Sequence, residues 1–331
     1  LTDPLPGRAA CHYCGPCHRG CSTGSYFSSL SSTLPAAKAT GNFDLRANAL
    51  VESLEYDPDT KRVSAVKVID TVTGERSRYS AKLIFLCAST VGSTQILMNS
   101  THANSDISFA NESGALGRYM MDHTYRAGAR GIMPGFEEYY PYGNRPNGIY
   151  IPRFRNVEGD DGLGFTRGYG YQGRAGRLSW DSMSKVTPGF GADFKEGLRK
   201  PGPWYMTLGG FGEILPYAHN TVALHKSKKD RFGIPQVTFH FEFGENEKRH
   251  REDLVEQAVL MLKAAGATRI DPYNTEMVGG AAIHEMGTAR MGHDPKEAVL
   301  NAHNQAHAAS NLFVTDGSAM ASASCVNPSL T

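Results

Sequence analysis

The run LIFLCA, residues 83–88, constrains the fold of this chain more than any other segment. It is apolar and uncharged throughout, which is typical of a strand that is buried on both faces of a sheet. The sequence STVGSTQILMNS follows directly, with Ser89 and Thr90 as candidate helix caps and Ile96 and Leu97 as apolar helix positions. The segment therefore predicts a strand, a turn and a helix, the unit from which α/β sheets are built.

Other runs predict sheet on either side of this unit. DLRANALVESLEYD and KRVSAVKVIDT are β-rich and are separated by turn residues, so residues 43–88 are expected to form a small meander. Residues 124–215 are rich in Gly, Tyr and Pro and predict irregular sheet and loops. A turn at Asp230–Gly233 is expected to join two further strands.

One long helix is predicted near residues 247–265. Its apolar residues recur at helical spacing, and Gly266 follows as a stop signal. We interpret this stripe as core packing. Its members are Leu254, Val255, Ala258, Val259 and Leu262.

Charge and hydropathy exclude two classes of partner. The 331 residues include 34 Lys and Arg against 33 Asp and Glu, a formal net charge of +1. Nucleic-acid-binding domains usually carry a strongly basic surface, so we expect no nucleic-acid partner. No apolar run approaches the roughly 18 residues of a membrane helix, so we expect no membrane span.

Four cysteines are crowded near the amino terminus. Cys11, Cys14, Cys17 and Cys21 have the spacing of bacterial ferredoxin-type iron–sulfur ligands, although Ser22 stands where a proline usually follows the fourth cysteine. Thiolates also bind zinc tetrahedrally. The spacing therefore leaves three alternatives open: an iron–sulfur cluster, structural zinc, and disulfides or free thiols.

A G-x-G-x-x-G pattern occurs at Gly168, Gly170 and Gly173. A dinucleotide fingerprint needs a strand before it and an apolar helix after it. The residues that follow, RAGRLSW, do not begin such a helix. We therefore interpret this pattern as unrelated to phosphate binding.

The carboxy-terminal residues predict a ligand site. NLFVTDGS reads as a strand that ends in Asp316 and Gly317, and ligands of open α/β sheets bind beyond the carboxyl ends of strands. His284 precedes a Gly-Thr turn, and Asn327 stands before Pro328. From the residues alone, we expect a ligand site that includes a histidine and an asparagine.

Several of these segments resemble the glucose–methanol–choline (GMC) oxidoreductase family. LIFLCASTVGSTQILMNS resembles the second signature of the family, with Thr94, Thr101 and His102 as departures from it. The amino-terminal CHYCGPCHRGC is most similar to the bacterial sugar dehydrogenase branch, which includes glucoside 3-dehydrogenase-like proteins. Three more segments carry the resemblance: ALGRYMMDH (115–123), HEMGTARMG (284–292), and NLFVTDGS with NPSLT (311–318 and 327–331).

The resemblance implies an α/β fold in which part of an FAD-binding, Rossmann-like domain is joined to an antiparallel-sheet substrate domain. Residues 1–123 would hold the Cys-rich segment and part of the FAD-binding domain. Residues 124–275 would form the substrate domain, and residues 276–331 would complete the FAD-binding domain. The glycine-rich βαβ unit that begins members of this family is missing, so we expect the chain to be a fragment that lacks the amino-terminal FAD-binding motif.

The resemblance also implies an FAD-dependent alcohol or sugar dehydrogenase. His284 would act as the base that accepts the hydroxyl proton while the adjacent carbon passes a hydride to flavin N5. Asn327 would be the second member of the catalytic pair. The electrons would pass to an acceptor, such as a small subunit or a cytochrome, and some members of this branch hold an iron–sulfur cluster near the flavin.

The remaining site residues are implied as cofactor contacts. Asp316 and Gly317 would lie near the FAD pyrophosphate or ribityl chain. Pro328 and Ser329 would lie near the pyrimidine end of the flavin, and Val51 would touch the adenine. Two rival functions stay open at this point: an iron–sulfur electron carrier, and a binding fragment without activity.

Overall fold

The computed structural model describes residues 3–14, 17, 20–102, 105–139, 148–159, 162–185, 187–275 and 278–328. The helices are α1 (Thr33–Ala39), α2 (Thr90–Met98), α3 (Trp180–Ser184), α4 (Gly191–Arg199) and α5 (Glu245–Ala264). The strands are β1 (Ala49–Asp57), β2 (Arg62–Asp70), β3 (Arg76–Tyr79), β4 (Ile84–Leu86), β5 (His123–Thr124), β6 (Ala127–Met133), β7 (Gly148–Ile151), β8 (Tyr169–Arg177), β9 (Trp204–Glu213), β10 (Thr221–Lys229), β11 (Pro235–His240), β12 (Thr268–Asn274) and β13 (Leu312–Val314).

The first hydrophobic core lies between a meander and a parallel pair of strands. β1, β2 and β3 form the three-stranded antiparallel meander. β4 pairs in parallel with β13, and α2 follows β4 directly. The buried Asn311 joins the two parts, because its amide donates to the carbonyl of Val63 and accepts from the Val63 N–H. The predicted strand, turn and helix are confirmed, whereas the expectation that the strand is buried on both faces is wrong, because Phe85 of β4 is 59% exposed. The predicted meander is present over residues 49–79, but β4 is not part of it, because this strand pairs with β13.

The second core lies between one sheet and α5. Strands β12, β6, β9, β8 and β7 lie in this order, and β5 pairs with β9 to complete the six-stranded sheet. All its pairings are antiparallel. Leu254, Ala258 and Leu262 of α5 recur every four residues and are fully buried against the sheet. The prediction that this stripe packs into the core is confirmed.

Two glycines of β9 allow α5 to lie this close to the sheet. A Cβ added at Gly210 would come within 2.1 Å of Leu254, and one added at Gly212 would come within 1.7 Å of the His250 ring. Neither distance is compatible with a side chain. Part of the high glycine content of the chain therefore serves helix–sheet packing.

The GYGYQG pattern lies mostly in strand β8 and not at a strand–helix turn. A Cβ at Gly173 would lie 2.2 Å from the carbonyl oxygen of Thr207 on β9, so close strand contact explains this glycine. The strand–turn–helix context that a phosphate-binding pattern requires is therefore missing at this pattern, and its lack of a phosphate-binding role stays a prediction. The predicted hairpin is also present, as β10 and β11 on either side of the turn.

The longest helix of the described residues is α5, with 20 residues. Within those residues, no helix combines the length and the hydropathy that crossing a bilayer would require. The predicted domain boundaries after residues 123 and 275 remain predictions.

His250 on α5 is a buried, neutral imidazole. Its Nε2 lies 2.9 Å from the hydroxyl of Thr124, and its ring stacks on Tyr169 at 5.9 Å between centroids. Its Nδ1 has no hydrogen-bond partner among the described residues. Burial, with a smaller contribution from the charge of Arg251, lowers the pKa of His250 from 6.5 to about 3.

We predict that the free energy of unfolding falls as the pH is lowered from 6.5 toward 3. In that window His250 of the unfolded chain takes up a proton, whereas His250 of the folded protein stays neutral. This difference lowers the free energy of unfolding at pH 5 by about 2 kcal/mol relative to neutral pH. Urea unfolding at pH 7 and pH 5 measures this difference. The variant His250→Gln should have a smaller difference, whereas His293→Gln, at an exposed histidine, should keep it. An equal pH dependence in wild type and His250→Gln would contradict the prediction.

Candidate active site

A cleft of about 340 Å³ opens beyond the carboxyl ends of β4 and β13. Because the two strands are parallel, the residues that follow them meet at the same edge. Cys87, Ser89 and Thr90 line the cleft after β4, and Thr315, Asp316 and Gly317 line it after β13. The ligand site predicted at the end of the NLFVTDGS strand thus coincides with a cleft.

A third segment closes the cleft from the other side. Ile283, His284 and Glu285 line it, together with Met320 and Pro328. The Thr90 hydroxyl donates to the Glu285 carbonyl at 2.5 Å and ties this segment to α2. The structure thus brings the predicted residues His284, Asp316, Gly317 and Pro328 to one cleft.

Asp316 fixes the loop after β13. One carboxylate oxygen accepts from the N–H and the hydroxyl of Ser318, at 3.0 and 2.6 Å. The other accepts from the Ser93 hydroxyl on α2, at 2.5 Å. Both oxygens are therefore occupied within the protein, and Asp316 shapes the cleft through the loop and the helix that it joins.

Gly317 has no side chain at a point of this loop where other segments approach closely. A Cβ at this position would lie 2.6 Å from both the Glu285 carbonyl oxygen and the Thr90 hydroxyl oxygen. No side chain is compatible with these distances. Three segments meet at this glycine, so its lack of a side chain sets the shape of the cleft.

One feature of the cleft would suit the anionic part of FAD. The amino terminus of α2 opens on it, and Ser89 makes no side-chain hydrogen bond that would cap the helix. The N–H groups of a helix's first turn and its dipole favour a phosphate group there. The residues that would hold the cofactor at this point are Ser89, Thr90 and the backbone at Gly317.

Two histidines and a phenylalanine form an aromatic cluster beside the cleft. The rings of His123 and His284 lie edge to face with centroids 5.0 Å apart, and Phe211 contacts both at 5.6 and 6.1 Å. His123 is 2% exposed. Nδ1 of His284 and both ring nitrogens of His123 are buried and make no hydrogen bond of normal geometry with the described residues.

Burial keeps His123 neutral. It lowers the pKa of His123 from 6.5 to about 4, and a positive charge on His284 lowers it further. The backbone of Gly212 and of Val326 beside the ring opposes this shift. His123 therefore presents an uncharged face to His284.

Asn327 lies next to the cleft residue Pro328 and is held by the sheet. Nε2 of Gln172 on β8 donates to Oδ1 of Asn327 at 2.5 Å. The neighbouring Val326 lies against His123, which in turn contacts His284. Asn327 is thus exposed beside Pro328 and is not among the residues that line the cleft, whereas Ser329 lies outside the described residues.

Val51 is not among the residues that line the cleft. It lies in β1, where it pairs with Val68 and packs partly buried against the first core. Its predicted contact with adenine remains a prediction.

The four amino-terminal cysteines do not form a ligand set. No group of three His, Cys, Asp or Glu among the described residues, which include Cys11, Cys14, Cys17 and Cys21, could hold a metal ion. The prediction of a cluster or zinc at this segment therefore receives no support.

A local hydrogen-bond set explains the position of the Cys21 sulfur. Its Sγ lies 3.4 Å from the Thr23 hydroxyl and accepts from the Tyr26 N–H at 3.4 Å. These contacts and that with Ser25, with the Thr23 side chain as the largest cause, lower the pKa of Cys21 to about 6. The Cys11 sulfur accepts instead from the Tyr13 N–H.

Sequence reasoning assigned no role to Asp122, His123 or Gln172. Asp122 and His123 end the segment ALGRYMMDH, whose resemblance to the family was the one signal available for them. Gln172 lies in a strand with no motif that indicates a site. These residues are far from His284 and Asn327 in the sequence, so no local pattern indicates their contacts.

Comparison with known families gives two matches. Models of the GMC oxidoreductases match residues 6–125 and residues 216–331, the first with the amino-terminal and the second with the carboxy-terminal part of the family. Together the two matches cover most of the chain.

Two curated relatives match the chain along its whole length. The 2-methyl-1,2-propanediol dehydrogenase of Mycolicibacterium austroafricanum is 30% identical, over 100% of this chain and 59% of that protein. The fructose dehydrogenase large subunit of Gluconobacter japonicus is 26% identical, over 100% of this chain and 59% of that protein. The chain thus spans less than two thirds of the length of these relatives.

Among solved structures, a formate oxidase variant of Aspergillus oryzae RIB40 superposes with a TM-score of 0.53. The match covers 84% of this chain and 57% of that one, at 14% identity. At this level of identity the likeness shows a shared fold.

We predict that Gly317→Ala weakens FAD binding and destabilises the protein by about 1–3 kcal/mol, because the new methyl group overpacks the junction of three segments. Fluorescence titration with FAD and thermal unfolding measure the two effects. Gly176→Ala is the matched control, since its Cβ would meet nothing closer than 3.6 Å. Equal behaviour of the two variants would contradict the assignment of this loop to the cofactor.

Proposed function

Because the chain belongs to the GMC oxidoreductase family, we propose that it oxidises the CH–OH group of a sugar or another alcohol with FAD and with His284 as the base. The observation that carries the proposal is the position of His284, in the cleft that fits the cofactor. Bound FAD would supply the acceptor for the hydride that leaves the carbinol carbon.

His284 would take the proton of the substrate hydroxyl. Its Nδ1 is buried and has no partner among the described residues, which leaves Nε2 as the nitrogen that can reach a substrate. Histidine is the side chain that most often acts as a general base in enzymes. Loss of the O–H proton to Nε2 and of the C–H hydride to the cofactor would convert the alcohol to a carbonyl compound.

Asn327 would hold the substrate oxygen as a hydrogen-bond donor. Its Oδ1 is occupied by Gln172, so the Nδ2 amide group remains for the substrate. A donor at this point favours the oxygen as negative charge develops on it. In this proposal, His284 therefore accepts the proton and Asn327 stabilises the charge on the substrate oxygen.

The whole protein would pass its electrons to an acceptor, such as a small subunit or a cytochrome. One relative that matches the full length of this chain is described as a large subunit, which supports a partner of this kind. Dehydrogenases and oxidases both occur among the relatives, so the support for an acceptor other than oxygen comes from the large-subunit relative.

We predict that His284→Ala slows flavin reduction by roughly 10²–10⁴-fold, because the hydroxyl proton loses its acceptor. Stopped-flow absorbance of the FAD-loaded protein, expressed from its complete coding sequence, measures this rate with a panel of sugars and diols. His293→Ala removes an exposed histidine away from the cleft and should leave the rate unchanged. An unaltered rate in His284→Ala would remove this residue from the mechanism.

We also predict that Gln172→Glu slows flavin reduction about 10- to 100-fold. A carboxylate cannot donate to Asn327 Oδ1, so it should turn the Asn327 amide and present a carbonyl oxygen to the substrate. The same assay measures the effect, and Gln236→Glu on the exposed hairpin strand β11 controls for the added charge. Similar rates in the two variants would show that Gln172 does not orient Asn327.

A further inference from the structure

Ile283, the residue before His284, has an unusual backbone conformation. Its φ is +58°, and it is the one β-branched residue with a left-handed φ among the residues that the structure describes. A β-branched side chain disfavours this conformation, because its branches collide with the backbone. Such strain persists where the surroundings impose it, and it is common at functional sites.

The Ile283 side chain does not impose this conformation. It is 78% exposed at the cleft, so packing cannot hold the residue in place. The ring of the next residue, His284, instead lies against His123 and Phe211. Another group must therefore determine the backbone at Ile283.

The buried carboxylate of Asp122 contacts the backbone on both sides of Ile283. Its Oδ2 accepts from the Ala282 N–H at 3.0 Å, and its Oδ1 accepts from the His284 N–H at 3.2 Å. Asp122 is 2% exposed. One carboxylate thus bridges the N–H groups of the two residues on either side of the strained residue.

The chain next to Asp122 is hydrogen-bonded to the segment that carries His284. The preceding residue, Met121, exchanges two backbone hydrogen bonds with Met286, each 2.9 Å long. Gly287 permits this contact, because a Cβ there would lie 2.3 Å from the Tyr119 carbonyl oxygen. The segment that carries Asp122 is therefore a fixed frame for the segment that carries His284.

We propose that Asp122 is a positioning residue, whose two hydrogen bonds hold Ile283 in the left-handed conformation and thereby direct the His284 ring into the cleft. The proposal rests on the proposed role of His284 as the base. The hydrogen bonds oppose the rise in the pKa of Asp122 that burial causes, which is consistent with a carboxylate that serves as a double acceptor.

The test compares Asp122→Asn with Ile283→Asn and the double variant, in the FAD-loaded protein expressed from its complete coding sequence. Asp122→Asn replaces one acceptor by a donor. It should slow flavin reduction about 10- to 100-fold through misplacement of His284, while the substrate concentration for half-maximal rate stays within about twofold. Asp253→Asn is the control: it alters another largely buried carboxylate, bound to Arg155, and should lower the thermal midpoint without changing the rate per bound FAD.

Stability measures the strain separately. Asparagine tolerates a left-handed φ, so Ile283→Asn should raise the thermal midpoint by about 1–3 °C over Ile283→Val, which keeps the branched side chain. Asp122→Asn should lower the thermal midpoint less in the Ile283→Asn background than in the wild type. If Asp122→Asn does not fold, the comparison of Ile283→Asn with Ile283→Val decides, and equal midpoints overturn the proposal.

The two proposals can fail independently. The role of Asp122 is overturned, and the proposed function stands, if His284→Ala slows flavin reduction while Asp122→Asn does not. The same conclusion follows if the effects of Asp122→Asn and Ile283→Asn on the thermal midpoint are simply additive. If His284→Ala leaves the rate unchanged, the proposed function falls, whatever the stability measurements show.

Discussion

The parallel pairing of β4 with β13 is the interaction on which the site depends. Residues 84–86 pair with residues 312–314, so two segments far apart in the chain end at the same edge. The N–H of Thr315 extends this pairing, because it donates to the carbonyl of Leu86. Without the pairing of β4 with β13, the amino terminus of α2 and the loop at Gly317 would not face one another. The Ser93–Asp316 hydrogen bond then locks helix and loop together.

A second long-range contact completes the site from the other side. The hydrogen bonds between Met121 and Met286 place the end of ALGRYMMDH against the beginning of HEMGTARMG. His123 thereby meets His284, and Asp122 reaches the backbone before it. These groups are buried, so their electrostatics are set by the protein and little by solvent. The cleft thus has one polar side with hydrogen-bonding backbone and one side that is backed by aromatic rings.

The six-stranded sheet supports the site through β8 and β9. Phe211 of β9 contacts both histidines, and Gln172 of β8 holds Asn327. The sheet can do this because α5 packs closely on it, through the glycines at 210 and 212. In the proposed reaction this sheet would support the residues beside the cleft, which suits a reaction that needs a fixed distance between hydride donor and acceptor.

Local patterns in the chain were enough to predict most of its elements: the three-stranded meander, the strand and helix at 83–100, and the apolar stripe of α5 are confirmed, because periodicity and turn residues act over short distances. The motifs around His284 and Asp316 also indicated the cleft. The spacing of the four cysteines, in contrast, left an iron–sulfur cluster, zinc, and disulfides or free thiols open, and the described residues contain no group that could hold a metal ion. Only the tertiary structure decided the contacts of Asp122, His123 and Gln172 and the left-handed backbone at Ile283. These arise from pairings between distant segments, for which a single sequence carries no local signal.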